Sequence, residues 1–348
     1  MGKIYNDEIR EFLNENNLNF LMNNSIGITG ASGLLGSYMI DVLMEYNNLN
    51  DNSIKVYAIV RNQEKARTIF EKYLENNSFV IVQQDMNNPI TFNVKMDYII
   101  HAASNSNPSS ISNDPIGTIK SNVLGTINLF EYARLKKTKR IIYISSSEVY
   151  GECIDDSGVF NETSLGLVDQ LKPRSSYSES KRMGENICVN YSNKYDINTS
   201  IVRICFAYGS TFSKSDNRVI PQFLRMAVNG NNIVLKSNGK MMRSYAYLYD
   251  VISGIMTILR NGVNGEVYNI SNKDSNISIK SIAEIIAKAT NTTIEFDIPN
   301  GNLKQGYSAF SKSLLSETKL RSLGWRPKYD MKEGLLQTIE IIKENGFD

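Results

Sequence analysis

Residues 26–36 read Ile26-Gly27-Ile28-Thr29-Gly30-Ala31-Ser32-Gly33-Leu34-Leu35-Gly36, an apolar strand that breaks into a glycine-rich turn and runs straight into a helix-forming stretch. Glycines at this spacing let a backbone turn sharply and approach a pyrophosphate, while the free N–H groups of a helix start favour an anion. The plain alternative is a glycine-rich βα turn that binds nothing. The chain beyond Gly36 narrows the choice, because strand and helix patterns keep alternating: strands are predicted near 54–60, 79–82, 97–101, 140–145 and 198–204, with helices near 34–46, 63–75 and 116–135. Such alternation predicts an α/β fold of the Rossmann type, a doubly wound parallel sheet with helices on both faces.

Beyond Tyr208 the regularity weakens. A polar stretch at 210–218 precedes a helix near 219–229 and a strand near 232–236; extended segments near 243–248 and 266–270 are expected to return to the sheet, followed by a helix at 278–290. We therefore divide the chain into a helical extension at 1–24, a dinucleotide-binding domain at 25–203 with return segments near 243–271, and a smaller mixed α/β substrate-binding lobe made of 204–242 and 272–348. The extension carries Ile4, Ile9, Phe12, Leu13, Leu18, Phe20 and Leu21 at helical spacing. No proline- or serine-rich linker separates the lobes, which predicts one shared cleft.

Charge and composition exclude several function classes. Lys+Arg 38 against Asp+Glu 36 leaves no basic stripe to follow a duplex, so nucleic acid is not an expected partner. No segment approaches the roughly 20 apolar residues that span a bilayer, and the polar N-terminus lacks a signal-peptide core, so we expect a cytoplasmic chain with no membrane partner. His101 is the single histidine, which argues against Ser-His-Asp hydrolysis and against a metal site. Proton transfer is left to Tyr, Lys, Glu or Ser. Cys153, Cys188 and Cys205 are widely spaced and are expected to be buried thiols.

Tyr177 and Lys181 stand at i and i+4 in Tyr177-Ser178-Glu179-Ser180-Lys181, so on a helix they share a face. A nearby ammonium lowers a phenol pKa and makes tyrosinate available as a base. Upstream, the predicted strand at 140–145 ends in Ser145-Ser146-Ser147-Glu148-Val149-Tyr150-Gly151, at the sheet edge where α/β proteins bind ligands. A serine there can hydrogen-bond a substrate hydroxyl; the bland reading, a capped turn, leaves Glu148 unexplained. The second strand ends in Arg61 where an NAD site usually carries an acid, so Arg61 either pairs with a 2′-phosphate, favouring NADP+, or stacks on adenine. Asp85 and Met86, after the third strand, lie where adenine would sit or form an ordinary turn.

Taken in order, the glycine loop, His101-Ala102-Ala103, Asp114-Pro115, Asn122-Val123-Leu124-Gly125-Thr126, Ser145 to Gly151, Tyr177/Lys181, and Arg243 before Tyr247 and Asp250 resemble the nucleotide-sugar epimerase/dehydratase branch of the extended short-chain dehydrogenases. The resemblance covers nearly everything after residue 24. It implies NAD(P)+ held by Gly30, Ser32, Gly33, Leu34, Leu35, Gly36, Ala102, Ala103, Ser104, Asn122 and Ser145, with Arg61, Asp85 and Met86 at the adenosine end. It also implies a Ser146, Tyr177, Lys181 triad in which Lys181 holds the nicotinamide ribose, and an Arg243 that contacts a substrate diphosphate.

Members of this branch oxidise carbon 4 of the sugar and then diverge. The 4,6-dehydratases carry an Asp-Glu pair where this chain has Ser147-Glu148, so that pair is incomplete here. Ser147-Glu148, Arg174-Ser175-Ser176-Tyr177 with Glu179, Lys181-Arg182 and Glu185, and Asp216-Asn217-Arg218-Val219 ahead of Phe223 instead resemble UDP-glucuronate decarboxylases. The implied substrate contacts are Ser146, Glu148, Phe206, Arg218 and Arg243, with Ser147, Glu148 and Arg243 serving decarboxylation. Phe206 occupies the position of a diphosphate-gripping Asn and Ser210 that of a Pro, which predicts an altered grip on the nucleotide. A 4-epimerase or 4,6-dehydratase is the alternative enzyme, and a cofactor-binding scaffold without turnover the non-enzyme alternative. Apolar residues on several faces near 116–135 and 177–194 (Ile116, Ile119, Val123, Leu124, Ile127, Leu129, Ile187, Cys188, Val189, Tyr191) imply either a homodimer through four helices, as in the resembling family, or burial under the second lobe.

Overall fold

The computed structural model describes residues 2–153, 158–298 and 312–347. The chain opens with α1 (Lys3–Glu15) and then alternates β1 (Ser25–Thr29), α2 (Leu34–Leu49), β2 (Lys55–Val60), α3 (Gln63–Ile69), β3 (Phe79–Gln83) and β4 (Tyr98–His101). Next come α4 (Pro108–Asn113), α5 (Pro115–Lys136), β5 (Arg140–Ser146), β6 (Val159–Phe160), α6 (Ser175–Tyr195), β7 (Thr199–Ile204) and β8 (Phe206–Tyr208). The remainder is α7 (Val219–Val228), β9 (Ile233–Leu235), β10 (Met242–Tyr247), α8 (Leu248–Asn261), β11 (Val267–Ile270), β12 (Asn276–Ser278), α9 (Ile279–Thr290), β13 (Ile294–Phe296), β14 (Lys312–Leu315), α10 (Thr318–Ser322) and α11 (Met331–Asn345).

Seven strands form one sheet in the order β11-β7-β5-β4-β1-β2-β3, every pairing parallel. This is the doubly wound Rossmann sheet that the alternation predicts. The order reverses between β1 and β4, the switch point where α/β sheets open a ligand crevice. The central strands β2, β4 and β5 are near-continuous runs of Ile, Val, Tyr and Ala, and β1 is buried from Ile26 to Thr29, because both their faces are covered.

Of the stretch at 243–271, only β11 returns to this sheet. Residues 243–248, expected to return as well, instead lie in β10, which pairs with β8, β12 and β14 in a separate small sheet. Alternation alone does not distinguish the two, since β10 is as fully buried as a central strand. The helix expected at 63–75 stops at Ile69: Phe70 and Tyr73 turn inward to meet Phe79, and a 3-10 turn replaces the last helical turn. Cys188 and Cys205 are buried, but Cys153 is only half-buried, contrary to expectation.

Extension helix α1 packs on α2 and α11. Its Glu8 is buried and accepts hydrogen bonds from Tyr38 Oη of α2 (3.0 Å) and Tyr247 Oη of β10 (2.6 Å). Burial pushes the Glu8 carboxyl up to about 7, against these bonds. Helices α5 and α6 pack along one another, yet Ile116, Ile119, Leu124, Met183 and Val189 stay exposed, so the smaller lobe does not cover this face. Among the described residues no helix is long and apolar enough to cross a membrane.

Candidate active site

The first half of the cleft is the turn between β1 and α2. Gly30 has φ +67°, and a Cβ there would stand 2.9 Å from the backbone of Ala102 and Ala103, so β1 and β4 approach at their ends as only glycine permits. A Cβ on Gly36 would meet Ala31 at 2.7 Å, which seats α2 against the turn. Gly33 is the N-cap of α2 and supplies no side-chain cap, so the first N–H groups of the helix keep their donor capacity. Around this cradle, the buried Ser104 Oγ and Asn122 Oδ1 have no hydrogen-bond partner among the described residues. A glycine cradle, an open helix start and two unpaired buried polar atoms suit a dinucleotide, which Gly30, Ser32, Gly33, Leu34, Leu35, Gly36, Ala102, Ala103, Ser104 and Asn122 would hold.

His101 braces this region. The Ala103 N–H donates to Thr29 Oγ1 (3.0 Å), whose hydroxyl then donates to His101 Nδ1 (2.8 Å). On the other side Thr126 Oγ1 donates to Asn122 O (2.6 Å), leaving it to accept from His101 Nε2 (3.2 Å). The donor order therefore assigns the neutral Nε2–H tautomer. Burial, with Lys181 nearby, pulls the imidazole down to about 3, so His101 stays a neutral ring that braces the strand ends. Arg61 is exposed at the end of β2. Asp85 Oδ1 accepts from Asn87 N (3.0 Å) in a local turn, and Met86 is buried against Gly125.

The second half is built by β5 and α6. Tyr177 and Lys181 lie one turn apart on the buried side of α6, as their spacing predicts. Lys181 Nζ donates to Ile144 O of β5 at 2.7 Å and stands 6.0 Å from the centre of the Tyr177 ring. Burial pulls the Lys181 ammonium down to about 8, against Cys188 and Glu185. Burial pushes the Tyr177 phenol up to about 12 and Glu148 adds to this; a hydrogen bond with Ser146 and the charges of Arg174 and Arg218 oppose it. Ser146 and the two arginines thus join the Lys181 expected from the spacing among the groups that face the Tyr177 ring.

Around Tyr177, the Glu148 N–H donates to Ser146 Oγ (3.2 Å), and Glu148 Oε1 accepts from Arg174 Nη2 (2.7 Å). Ser147 opens the 3-10 turn that carries Glu148 away from the strand end. Ser145 faces the other way: its hydroxyl donates to Glu185 Oε1 (2.5 Å) and it is buried, so its side chain is not free for a dinucleotide as expected. Glu185 also takes two bonds from Arg203 (2.9 and 2.7 Å), whose guanidinium covers the Tyr150 ring. This network ties α6 to β5 and β7 beneath the site. Arg218 is held by Asp216 through both carboxylate oxygens. Arg243 is buried on β10, where burial lowers its guanidinium and the Tyr245 and Glu148 charges raise it. Phe206 is exposed, its ring 5.6 Å from Tyr245 on the paired strand.

Arg174 and Arg203 carry no role that the sequence alone assigns. An arginine inside an otherwise apolar strand marks Arg203; nothing short of the fold brings Arg174 to both Glu148 and Tyr177.

A switch-point crevice with a glycine cradle on one side and Ser146, Tyr177 and Lys181 on the other defines a dinucleotide-binding α/β protein with an oxidoreductase-like site. A family model, NAD dependent epimerase/dehydratase family, matches residues 26–271, and the chain belongs to that family. UDP-glucuronic acid decarboxylase 3 of Arabidopsis thaliana is 29% identical over 313 residues, covering 90% of this chain and 87% of that protein. The crystal structure of UDP-glucose 4-epimerase from Thermotoga maritima with UDP-glucose has TM-score 0.76 at 21% identity, covering 92% of this chain and 98% of the other. That of dTDP-glucose 4,6-dehydratase from Bacillus anthracis in complex with NAD has TM-score 0.74 at 21% identity, covering 92% and 97%.

Proposed function

We propose that this chain is an enzyme that oxidises carbon 4 of a nucleotide-activated sugar, and that its outcome is decarboxylation of a UDP-glucuronate-like substrate. The observation that carries the reading is that Tyr177 and Lys181 lie one turn apart on the buried side of α6, with Lys181 tied to β5 through Ile144 and the Arg174-held Glu148 carboxylate just beyond the end of that strand. A dinucleotide held by the glycine cradle would supply the hydride acceptor, and later the hydride donor, that chemistry at carbon 4 needs. Tyr177 accepts the proton of the carbon 4 hydroxyl, which Ser146 orients. Oxidation makes the glucuronate a β-keto acid, whose carbon–carbon bond to the carboxylate breaks with loss of carbon dioxide. The electron pair stays on the sugar as an enolate, which is then reprotonated.

Arg243 suits the carboxylate or the enolate because it is buried, charged and coupled to Glu148; Ser147 and Glu148 complete that end, and Phe206 and Arg218 flank the nucleotide. The family relationship and the decarboxylase relatives support this assignment. Arg61, exposed where an acid would select NAD, supports use of NADP+. The uncovered apolar face of α5 and α6 supports a homodimer. The test is incubation with a panel of nucleotide sugars, following product mass. Loss of carbon dioxide from UDP-glucuronate is expected; loss of water or an unchanged mass with inverted carbon 4 replaces decarboxylase by dehydratase or epimerase, and no turnover refutes the enzyme reading.

A further inference from the structure

Resting on the reading of Tyr177 as the proton acceptor, the surroundings of its ring raise a second question: which group makes a phenolate tolerable beside Glu148? The groups facing Tyr177 are Ser146 and Glu148 after β5, Tyr143 within β5, Lys181 on its own helix, Arg174 just before that helix, and Arg218 at the start of α7. Two of the three cations are engaged elsewhere. Arg218 is chelated by Asp216, and Lys181 donates to the Ile144 carbonyl. Arg174 touches both anionic partners: Nη2 holds Glu148 Oε1 at 2.7 Å, and the guanidinium carbon stands 5.8 Å from the Tyr177 ring centre. Its Nη1 is buried and, among the described residues, bonded to nothing, so one carboxylate does not saturate the guanidinium.

We propose that Arg174 is a positioning residue that binds Glu148 and Tyr177 into one electrostatic unit and thereby sets the pH above which Tyr177 can take a proton. Without it, a phenolate forms beside an uncompensated carboxylate. Like charges at this range oppose ionisation and an opposite charge within ~4–6 Å favours it, by about one unit or more. Arg174 also orients Glu148, so its loss is felt in turnover more than in binding.

The experiment is the pH dependence of kcat and KM for UDP-glucuronate, with wild type, R174K, R174Q, R174M and Y177F compared below their melting temperatures and with cofactor saturating. The acid limb of kcat is expected to move up by about one pH unit in R174Q and R174M. R174K, which keeps the charge, is expected to restore most of that shift, and KM is expected to change less than threefold. A uniform drop in kcat with the limb unmoved in both neutral variants overturns the proposal, as does a shift in R174K equal to theirs. If Y177F keeps wild-type turnover, or wild type does not turn over UDP-glucuronate, the reading of the site falls and the inference with it. An unmoved limb beside an inactive Y177F defeats the inference alone.

Discussion

Replacing Glu185 by alanine removes the centre of the buried network under the cleft. Glu185 accepts from Ser145 and takes two bonds from Arg203, and both members of the ion pair are little exposed, 11% and 13% by side chain. Deleting one partner of such a pair leaves the other charge uncompensated, at a cost of about 3–5 kcal/mol. At this burial little of the loss is recovered from solvent, though Arg203 still covers the Tyr150 ring and donates to Glu162 O. With 348 residues and an unfolding entropy of about 2.1 cal/mol/K per residue, a loss near 4 kcal/mol lowers Tm by roughly 5–6 °C. Differential scanning calorimetry measures this directly, and the double variant E185L/R203L separates the charge from the packing. Because the cost lies in stranding Arg203, the double variant is expected to regain more than half of the lost Tm. An E185A protein melting within about 1 °C of wild type, or a double variant as unstable as the single, refutes the reasoning.

G30A places a Cβ 2.9 Å from the backbone of Ala102 and Ala103 at a φ of +67°, so the affinity for NADPH and for NADH by fluorescence titration is expected to fall at least about tenfold; an unchanged Kd for both removes the cradle from the cofactor site. Y177F is expected to lower turnover by about 10²–10⁴-fold while the reduced dinucleotide still binds, and retained turnover by product mass would point to another base. For Glu8 the folded pKa of about 7 lies above the ordinary 4.5, so the folded state holds the extra proton between those values. Its contribution is therefore full below the lower value and fades as pH rises through the upper one, by up to about 3 kcal/mol. Melting curves of E8Q are accordingly expected to gain on wild type between pH 5 and pH 8; a difference independent of pH contradicts a protonated Glu8.

Period and punctuation made the large sheet legible before any coordinates. Strands of continuous Ile, Val and Tyr, each followed by a turn and a helix, have few arrangements other than a parallel sheet, and β1 to β5 and β7 fall within about a residue or two of their predicted bounds. The smaller lobe was harder because its strands are short and joined over long range: β10 pairs with β8, β12 and β14, and no local pattern states those partners. Helix α8 carries Asp250, Ser253, Thr257 and Arg260 at helical spacing, a period present in the sequence but not among the predicted elements; that Leu248 through Met256 are all buried is a tertiary fact. At the site, spacing placed Tyr177 and Lys181 on one face, but the direction of each side chain is a tertiary fact. Ser145 turns inward to Glu185 while its neighbour Ser146 accepts from the Glu148 N–H, and the lysine chooses a backbone carbonyl.

The extension ahead of the matched family region then acquires a structural role. Glu8 of α1 holds Tyr38, which lies on the helix that begins at the glycine cradle, and Tyr247, which lies on the strand that carries Arg243. Farther along α1, Glu15 accepts from Tyr249 and Glu11 from Tyr329, and Lys328 pairs with both acids. Carboxylates at i, i+3 and i+7 form one row on a helix, so α1 joins α2 to β10, α8 and Tyr329 through Glu8, Glu11 and Glu15. The bonds at Glu8 are fully buried; those at Glu11 and Glu15 are part-exposed and add less each. The buried polar link from α2 through α1 to β10 thus runs through one carboxyl shared by two tyrosines.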